Sequence, residues 1–311
     1  MEDVHDERPV LRALAIGEIF DRAVTMYVRN FVPFTLIVLT LLVPVGVLQY
    51  LYTDRAGESF AQLLRQMQHP GLSPQFDTSQ LAALAVIALL VLLLAPFSNN
   101  AVAVGVAAIY AGRTPSYREG FARVLARWAP LLGTSILSML ILIGTYFALV
   151  IAFAIVAVVG VALSRGSVVL GVTFAIIAVV LLLAAIVVFI VLAVCCAFAL
   201  YATTIEASRP ADAIGEAFRR IFNRREFPKV VLISLAYMAL EIGALILSGV
   251  IGVMILDFTH STAAEIASGT VINAILTSFL TVLLAVYYYD VRTRTEGLDL
   301  EVALERLTAP A

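Results

Sequence analysis

Residues 168–201 read VVLGVTFAIIAVVLLLAAIVVFIVLAVCCAFALY, thirty-four consecutive positions without an Asp, Glu, Lys or Arg. A helix needs about 20 apolar residues to cross the hydrocarbon core of a bilayer, so this run alone predicts a membrane span. Comparable runs lie on both sides of it, at 31–51, 81–96 and 130–163 before, and at 230–256 and 271–289 after. The whole chain has 311 residues, 62% of them apolar and 14% charged. A water-soluble domain is roughly 45–50% apolar and about 25% charged, so too few charges are present to cover a water-facing surface. The composition predicts an all-α integral membrane protein with six spans and excludes a secreted or cytosolic enzyme.

The scarce cations are placed unevenly. Arg8, Arg12, Arg22 and Arg29 precede the first run; Arg113, Arg118, Arg123 and Arg127 lie between the second and third. Arg209, Arg219, Arg220, Arg224, Arg225 and Lys229 lie between the fourth and fifth, and Arg292, Arg294 and Arg306 follow the sixth. Only Arg55, Arg65 and Arg165 fall on the other side, and the positive-inside rule therefore predicts both termini in the cytoplasm. The first eight residues are polar and acid-rich, unlike a cleavable signal peptide. A net charge of -2 leaves no footprint for nucleic acid. Cys195 and Cys196, the only cysteines, sit inside an apolar run and are expected to pack as small hydrophobic residues.

The basic segments share a pattern, E-x-F-x-R, at Glu18–Arg22, Glu119–Arg123 and Glu216–Arg220. The copies are spaced by 101 and 97 residues, and a proline follows each at the mouth of a run, Pro33, Pro130 and Pro228. On a helix, Glu and Arg four apart face each other, while the Phe starts an apolar stripe on another face. The stripe would comprise Phe20, Ala23, Val24 and Tyr27, then Phe121, Val124, Leu125 and Trp128, then Phe218, Ile221 and Phe222. Ser116 with Glu119 would form a capping box, and Asp212 an N-cap. The reading is three helix-hairpin units, at 15–111, 115–205 and 211–290, each opened by a cytoplasmic interfacial amphipathic helix, within a single membrane domain of 1–311. Residues 291–311 form a cytoplasmic tail, with a short amphipathic helix suggested by Leu300, Ala303, Leu304 and Leu307. The segment 53–79 joins the first two runs as an external loop, with an amphipathic stretch and then the breaker run at 69–74.

Polar residues inside the runs are candidate functional groups, because a charge at mid-membrane costs at least ~2.5–3.5 kcal/mol unless it is neutral, partnered or hydrated. Glu241 is the carboxylate deepest in a run, and it reads either as a proton or cation site or as a protonated group making one interhelical hydrogen bond. Asn99 and Asn100 form a polar patch beyond Pro96 that reads either as helix glue or as part of a solute path. At the end of the last run, Tyr287, Tyr288 and Tyr289 suit an interfacial belt, and Asp290 with Arg292 or Arg294 could seal the cytoplasmic end. Arg22, Arg123, Arg127, Arg219, Arg220, Arg224 and Arg225 are candidates for binding anionic lipid headgroups or a partner.

The two ends, Leu14-Ala15-Ile16-Gly17-Glu18-Ile19-Phe20-Asp21-Arg22-Ala23 with Tyr27, Arg29, Asn30 and Phe31, and Tyr288-Tyr289-Asp290 through Arg292, Arg294, Glu296-Gly297 and Asp299-Leu300, carry a family likeness. The chain resembles the membrane domain attached to some bacterial glycerophosphoryl diester phosphodiesterases, which also occurs alone. The resemblance implies a stand-alone multi-pass protein of the bacterial inner membrane. It does not imply phosphodiesterase activity, since the chain lacks the fused hydrolase domain and the His and carboxylate set such chemistry uses.

Motifs for chemistry are missing: no H-E-x-x-H, no P-loop, no G-x-S-x-G and no cysteine metal spacing, with His5, His69 and His260 far apart. The expectation is a non-enzymatic membrane protein without cofactor or metal that binds or organises lipids, a partner membrane protein or a second copy of itself. The alternative is a transporter or channel for a small or lipidic solute, with Glu241, Asn99 and Asn100 along its path. An odd number of two-span units does not favour the two-fold inverted design of many transporters.

Overall fold

A computed structural model describes residues 12–68, 78–164, 167–224 and 226–297, with backbone alone for 52–68, 78–81, 83 and 84. Arg225, the breaker run at 69–74, Arg165 in the turn after the third span, and the proposed tail helix lie outside the described residues. Among the described residues all regular structure is helical: α1 (Ile16–Arg29), α2 (Phe31–Gln68), α3 (Thr78–Tyr110), α4 (Tyr117–Ala126), α5 (Trp128–Ser164), α6 (Val168–Tyr201), α7 (Pro210–Ile221), α8 (Phe227–Thr259) and α9 (Thr262–Glu296). Six of these, α2, α3, α5, α6, α8 and α9, contain stretches long and apolar enough to cross a bilayer. The chain is a multi-pass membrane protein.

Three boundaries differ from the hydropathy reading. The second run does not stop at Pro96, because α3 continues through it to Tyr110; a proline is tolerated where neighbouring helices and side chains meet the freed backbone groups. The Asn100 side-chain amide does part of this, donating to the Pro96 carbonyl at 2.7 Å. The first helix runs on to Gln68 rather than ending near residue 51. The last begins at Thr262, nine residues before its apolar run, so that Glu265 is helical rather than part of an external loop. The polar sequence TAAEIASGT conceals this start from a hydropathy window.

Two compact units emerge. Unit 1 holds residues 21–126 and 241–283, and unit 2 holds the described residues of 10–20, 127–240 and 284–297. The division falls inside α1, α8 and α9. In unit 1, α3 packs on α2 and α4, and its stretch Asn100–Val104 is essentially fully buried. A Cβ at Gly120 would stand 2.9 Å from the Ala101 carbonyl oxygen, so the closeness of α4 to α3 requires glycine there. Tyr27 accepts a hydrogen bond from Ser278 (3.0 Å) and donates to the Ile275 carbonyl (2.9 Å), joining α1 to α9. In unit 2, α5 and α6 form a long hairpin. At about 1.5 Å per residue the 34 residues of α6 extend ~51 Å, well beyond a hydrocarbon core of about 30 Å, and only tilt or projection accommodates the excess. Cys195 and Cys196 are buried free thiols in its packed end, beside Phe198.

The short helices α1, α4 and α7 each precede a long one, and each contains one E-x-F-x-R copy. Their buried positions match the expected stripe in part: Ala23, Tyr27, Val124 and Ile221 are buried as expected, and the other members are not. The residues one before and three after the Phe are buried in all three copies: Ile19 and Ala23, Gly120 and Val124, Ala217 and Ile221. Phe20, Phe121 and Phe218 are half-buried, and Val24, Leu125, Trp128 and Phe222 are exposed. Asp212 is not an N-cap either. Arg209 holds that position in extended backbone (φ -75, ψ 155), Pro210 starts the helix, and Asp212 lies in the first turn, where its charge suits the dipole.

Candidate functional site

The end of α9 is the most heavily charged buried region of unit 2. Asp290, with its side chain fully buried, accepts from the Leu14 backbone N–H at 2.6 Å and from Lys229 Nζ at 2.5 Å, with the Arg294 guanidinium at 3.2 Å. Lys229 and Arg294 also donate to the Leu14 carbonyl, at 2.7 and 2.6 Å. Asp290 thus ties the segment before α1 to the starts and ends of two long helices, and the two sequence ends quoted above meet in this cluster. The expected pairing of Asp290 with Arg294 is present, whereas Arg292 pairs with Glu296 (2.9 Å) and Glu206 (3.2 Å).

A second cluster surrounds Arg220, which is 5% exposed. Its guanidinium grips both oxygens of Glu206, at 2.9 and 2.8 Å, and reaches Glu296 at 2.5 Å, with Glu216 at 3.6 Å. Tyr288 adds its hydroxyl, donating to Glu206 and accepting from Arg220. Burial works against the Arg220 charge, but the hydrogen bonds and charges of Glu206, Tyr288 and Glu296 outweigh it and hold the guanidinium above its ordinary pKa. Glu206 is positioned by a π-helical turn, Ala202–Glu206, that ends on Ala207 in left-handed backbone (φ 64). Arg127 donates to the Ala207 carbonyl at 2.9 Å.

These contacts correct several sequence assignments. Arg220 is removed from the headgroup-binding set because its side chain is buried among carboxylates, and Arg127 is committed to a backbone carbonyl. Arg123, Arg219 and Arg224 are exposed, and Arg22 is half-buried. Tyr287, Tyr288 and Tyr289 do not form an interfacial belt. They are 0%, 0% and 7% exposed and pack among Phe198, Tyr201 and one another. Glu18 accepts from Arg12 and Glu119 from Arg113, both at 2.5 Å and six residues apart, which the four-residue spacing argument did not anticipate. Glu206, Lys229 and Glu226, which stands 3.8 Å from the Arg294 guanidinium, were missed as site residues because they have partners far along the chain, as far as 215 positions for Lys229 and Leu14. The one local hint is a Glu at the end of an uncharged run with arginines just beyond it.

Among the intramembrane candidates, Asn100 is fully buried, and its Oδ1 has no hydrogen-bond partner. Asn99 accepts from the Thr281 hydroxyl at 3.3 Å. Glu241 lies on an exposed position of α8 in unit 1. A polar cavity of about 380 Å³ occurs elsewhere in unit 1, lined by Gln49 of α2, Ser248 of α8, and Glu265, Thr270, Asn273 and Thr277 of α9. The sequence signal for it is a stripe at every fourth residue, Glu265, Gly269, Asn273, Thr277 and Thr281, truncated when the span is started at residue 271. Unit 2 holds a contrasting groove of about 570 Å³, walled by Tyr146, Phe153, Leu182, Phe189, Ile190 and Met238 among other apolar residues. No cluster of three or more metal-ligating side chains occurs among the described residues. Comparison of the chain with known protein families, with curated proteins and with solved structures gives no match.

Proposed function

We propose that this chain is a non-enzymatic multi-pass protein of a bacterial inner membrane that binds or organises lipids, holding acyl chains on α5 and α6 and headgroups at its arginines. The observation that carries the reading is the apolar groove of unit 2. Its lining is aromatic and aliphatic, with Met238 of α8 beside α5 and α6, and the outward residues of α5 and α6, such as Val158, Val168 and Val179, are strongly exposed and apolar. In a bilayer such a surface is covered by hydrocarbon, and a groove in it suits a bound chain. Exposed Arg219 and Arg224 supply the anionic end of the preference, each basic group near a charged surface contributing about 1 kcal/mol. The helices α1, α4 and α7 serve as cytoplasmic interfacial helices, opening three hairpin units, with both termini on that side. The recurrence of the buried pair around each Phe supports a common origin for the three.

The transport reading ranks behind. Asn99 accepts from Thr281 and the Asn100 amide N–H donates to the Pro96 carbonyl, the kind of bond by which asparagines brace helices, with the Asn100 Oδ1 alone left over.

The test is lipid enrichment around the full chain in nanodiscs of mixed phosphatidylglycerol and phosphatidylcholine, read by native mass spectrometry. Replacing Arg123, Arg219 and Arg224 together with Gln is expected to lower the retained phosphatidylglycerol about tenfold or more. Phe189→Ala with Phe153→Ala is expected to reduce retention of either lipid. Retention unchanged in both variants contradicts the reading.

A further inference from the structure

The polar cavity of unit 1 is unlike the rest of the membrane-spanning surface. Glu265, Asn273 and Thr277 stand at four-residue multiples on one face of α9, reaching about 18 Å along the helix from Glu265 to Thr277. Gln49 and Ser248 complete the polar lining from two other helices. Among the described residues neither the Glu265 carboxylate nor the Asn273 amide has a hydrogen bond or ion pair. Glu265 is half-buried and Asn273 exposed, so both are open to a ligand, and an ionisable group on a spanning helix is a candidate for a bound ligand or an ion path. The cavity is also kept open by glycine. A Cβ at Gly249 or Gly269 would meet nothing within 4 Å, so larger residues would be accommodated there by the backbone and would occupy the cavity itself.

We propose that this cavity binds a primary ammonium group, whose charge lies against Glu265 and whose two remaining N–H groups are taken by the oxygens of Asn273 and Thr270. The lining selects this chemistry in three ways. Among the described lining residues Glu265 is the charged one, and its carboxylate favours a positive charge and repels anions. Amide and hydroxyl oxygens match a group with three N–H donors. None of the described lining residues is aromatic, so a quaternary ammonium, which has no N–H and is bound by aromatic faces, finds nothing to hold it. A divalent metal would want further carboxylates, and among the described residues there is no cluster to supply them. The amine can arrive as a free solute or as the headgroup of phosphatidylethanolamine entering from the bilayer. The inference rests on unit 1 alone and is independent of the arginine and groove reading above.

The experiment uses the full chain in phosphatidylcholine nanodiscs, titrated calorimetrically with ethanolamine and with choline, and in parallel the lipids retained from phosphatidylethanolamine and phosphatidylcholine mixtures by native mass spectrometry. Saturable ethanolamine binding, with choline at least tenfold weaker, identifies a free amine. Selective retention of phosphatidylethanolamine without ethanolamine binding identifies the lipid headgroup. In either case Glu265→Gln is expected to weaken binding about 10- to 100-fold, the loss of a charge-assisted hydrogen bond and its ion pair. Gly249→Leu is expected to abolish binding by filling the cavity. Gly243→Leu, also on α8 with open space at its Cβ but not in the lining, should bind as the wild type does. The proposal is overturned if neither form binds, if choline matches ethanolamine, or if Glu265→Gln binds undiminished.

Discussion

The buried charges of unit 2 and the polar cavity of unit 1 handle the same problem in opposite ways. Around Asp290 and Arg220 each charged group is met by opposite charge: Asp290 by Lys229 and Arg294, Arg220 by Glu206 and Glu296. In the cavity, Glu265 and Asn273 have no such partner among the described residues. Low dielectric rewards the first arrangement and penalises the second, so the first reads as structure and the second as a site held ready for something else. The difference teaches that charge met by opposite charge belongs to the scaffold, whereas a charged group that faces an open cavity is available to a ligand.

The comparison can be broken most easily at Arg220. Replacement by Ala takes away the two-pronged partner of Glu206 and leaves Arg292 to face both Glu206 and Glu296, and unfolding stability is expected to fall by about 3 kcal/mol, the lower end for a broken buried pair. Arg220→Lys restores the charge but not the two-pronged grip on Glu206, and should recover less than half of the loss. Denaturant unfolding of the reconstituted protein, followed by circular dichroism, would measure both, and wild-type stability in Arg220→Ala would mean the cluster is not structural. Asp290→Asn keeps an acceptor for the Leu14 N–H but removes the charge facing Lys229 and Arg294. A loss of roughly 2–3 kcal/mol is expected in the same assay.

Smaller effects sharpen the contrast. Ala207 is in left-handed backbone without being glycine, and Ala207→Gly is expected to raise stability by about 1 kcal/mol, whereas a loss would show that the side chain has a role of its own. The Arg113–Glu119 pair, with side chains 50% and 38% exposed, is expected to contribute no more than ~0.5 kcal/mol. A double-mutant cycle that returned a coupling as large as that of a buried pair would remove the distinction between exposed and buried charges.

The spans were legible because uncharged apolar runs of this length are rare outside a bilayer, and the three short helices could be located from charge and Phe spacing. Their burial was legible only in part, at Ala23, Tyr27, Val124 and Ile221. The Phe was expected inside, but a helix resting on its neighbours buries the residue before it, and the choice between these faces is made by partners such as Ala101 that no local pattern reveals. The start of α9 was hidden because TAAEIASGT is polar enough to pass for a loop, although its fourth residue lines the cavity. The charge clusters escaped for a different reason. Arg220 and Glu296 are 76 residues apart, and charge placement predicts both on the same side of the membrane without showing that they meet. The three tyrosines illustrate the same limit: aromatic residues at the end of a span suit an interface or a core equally well until their neighbours are known.

One measurement addresses the contrast between paired and unpaired polarity directly: the thermal unfolding midpoints of Glu265→Gln and Asp290→Asn in identical phosphatidylcholine nanodiscs without added amine. Both remove one buried or half-buried negative charge from α9. The account predicts a marked drop for Asp290→Asn and an unchanged or higher midpoint for Glu265→Gln, since an unpartnered carboxylate loses nothing when neutralised. Equal drops in the two variants would contradict it, by showing that Glu265 is as much a part of the folded scaffold as Asp290.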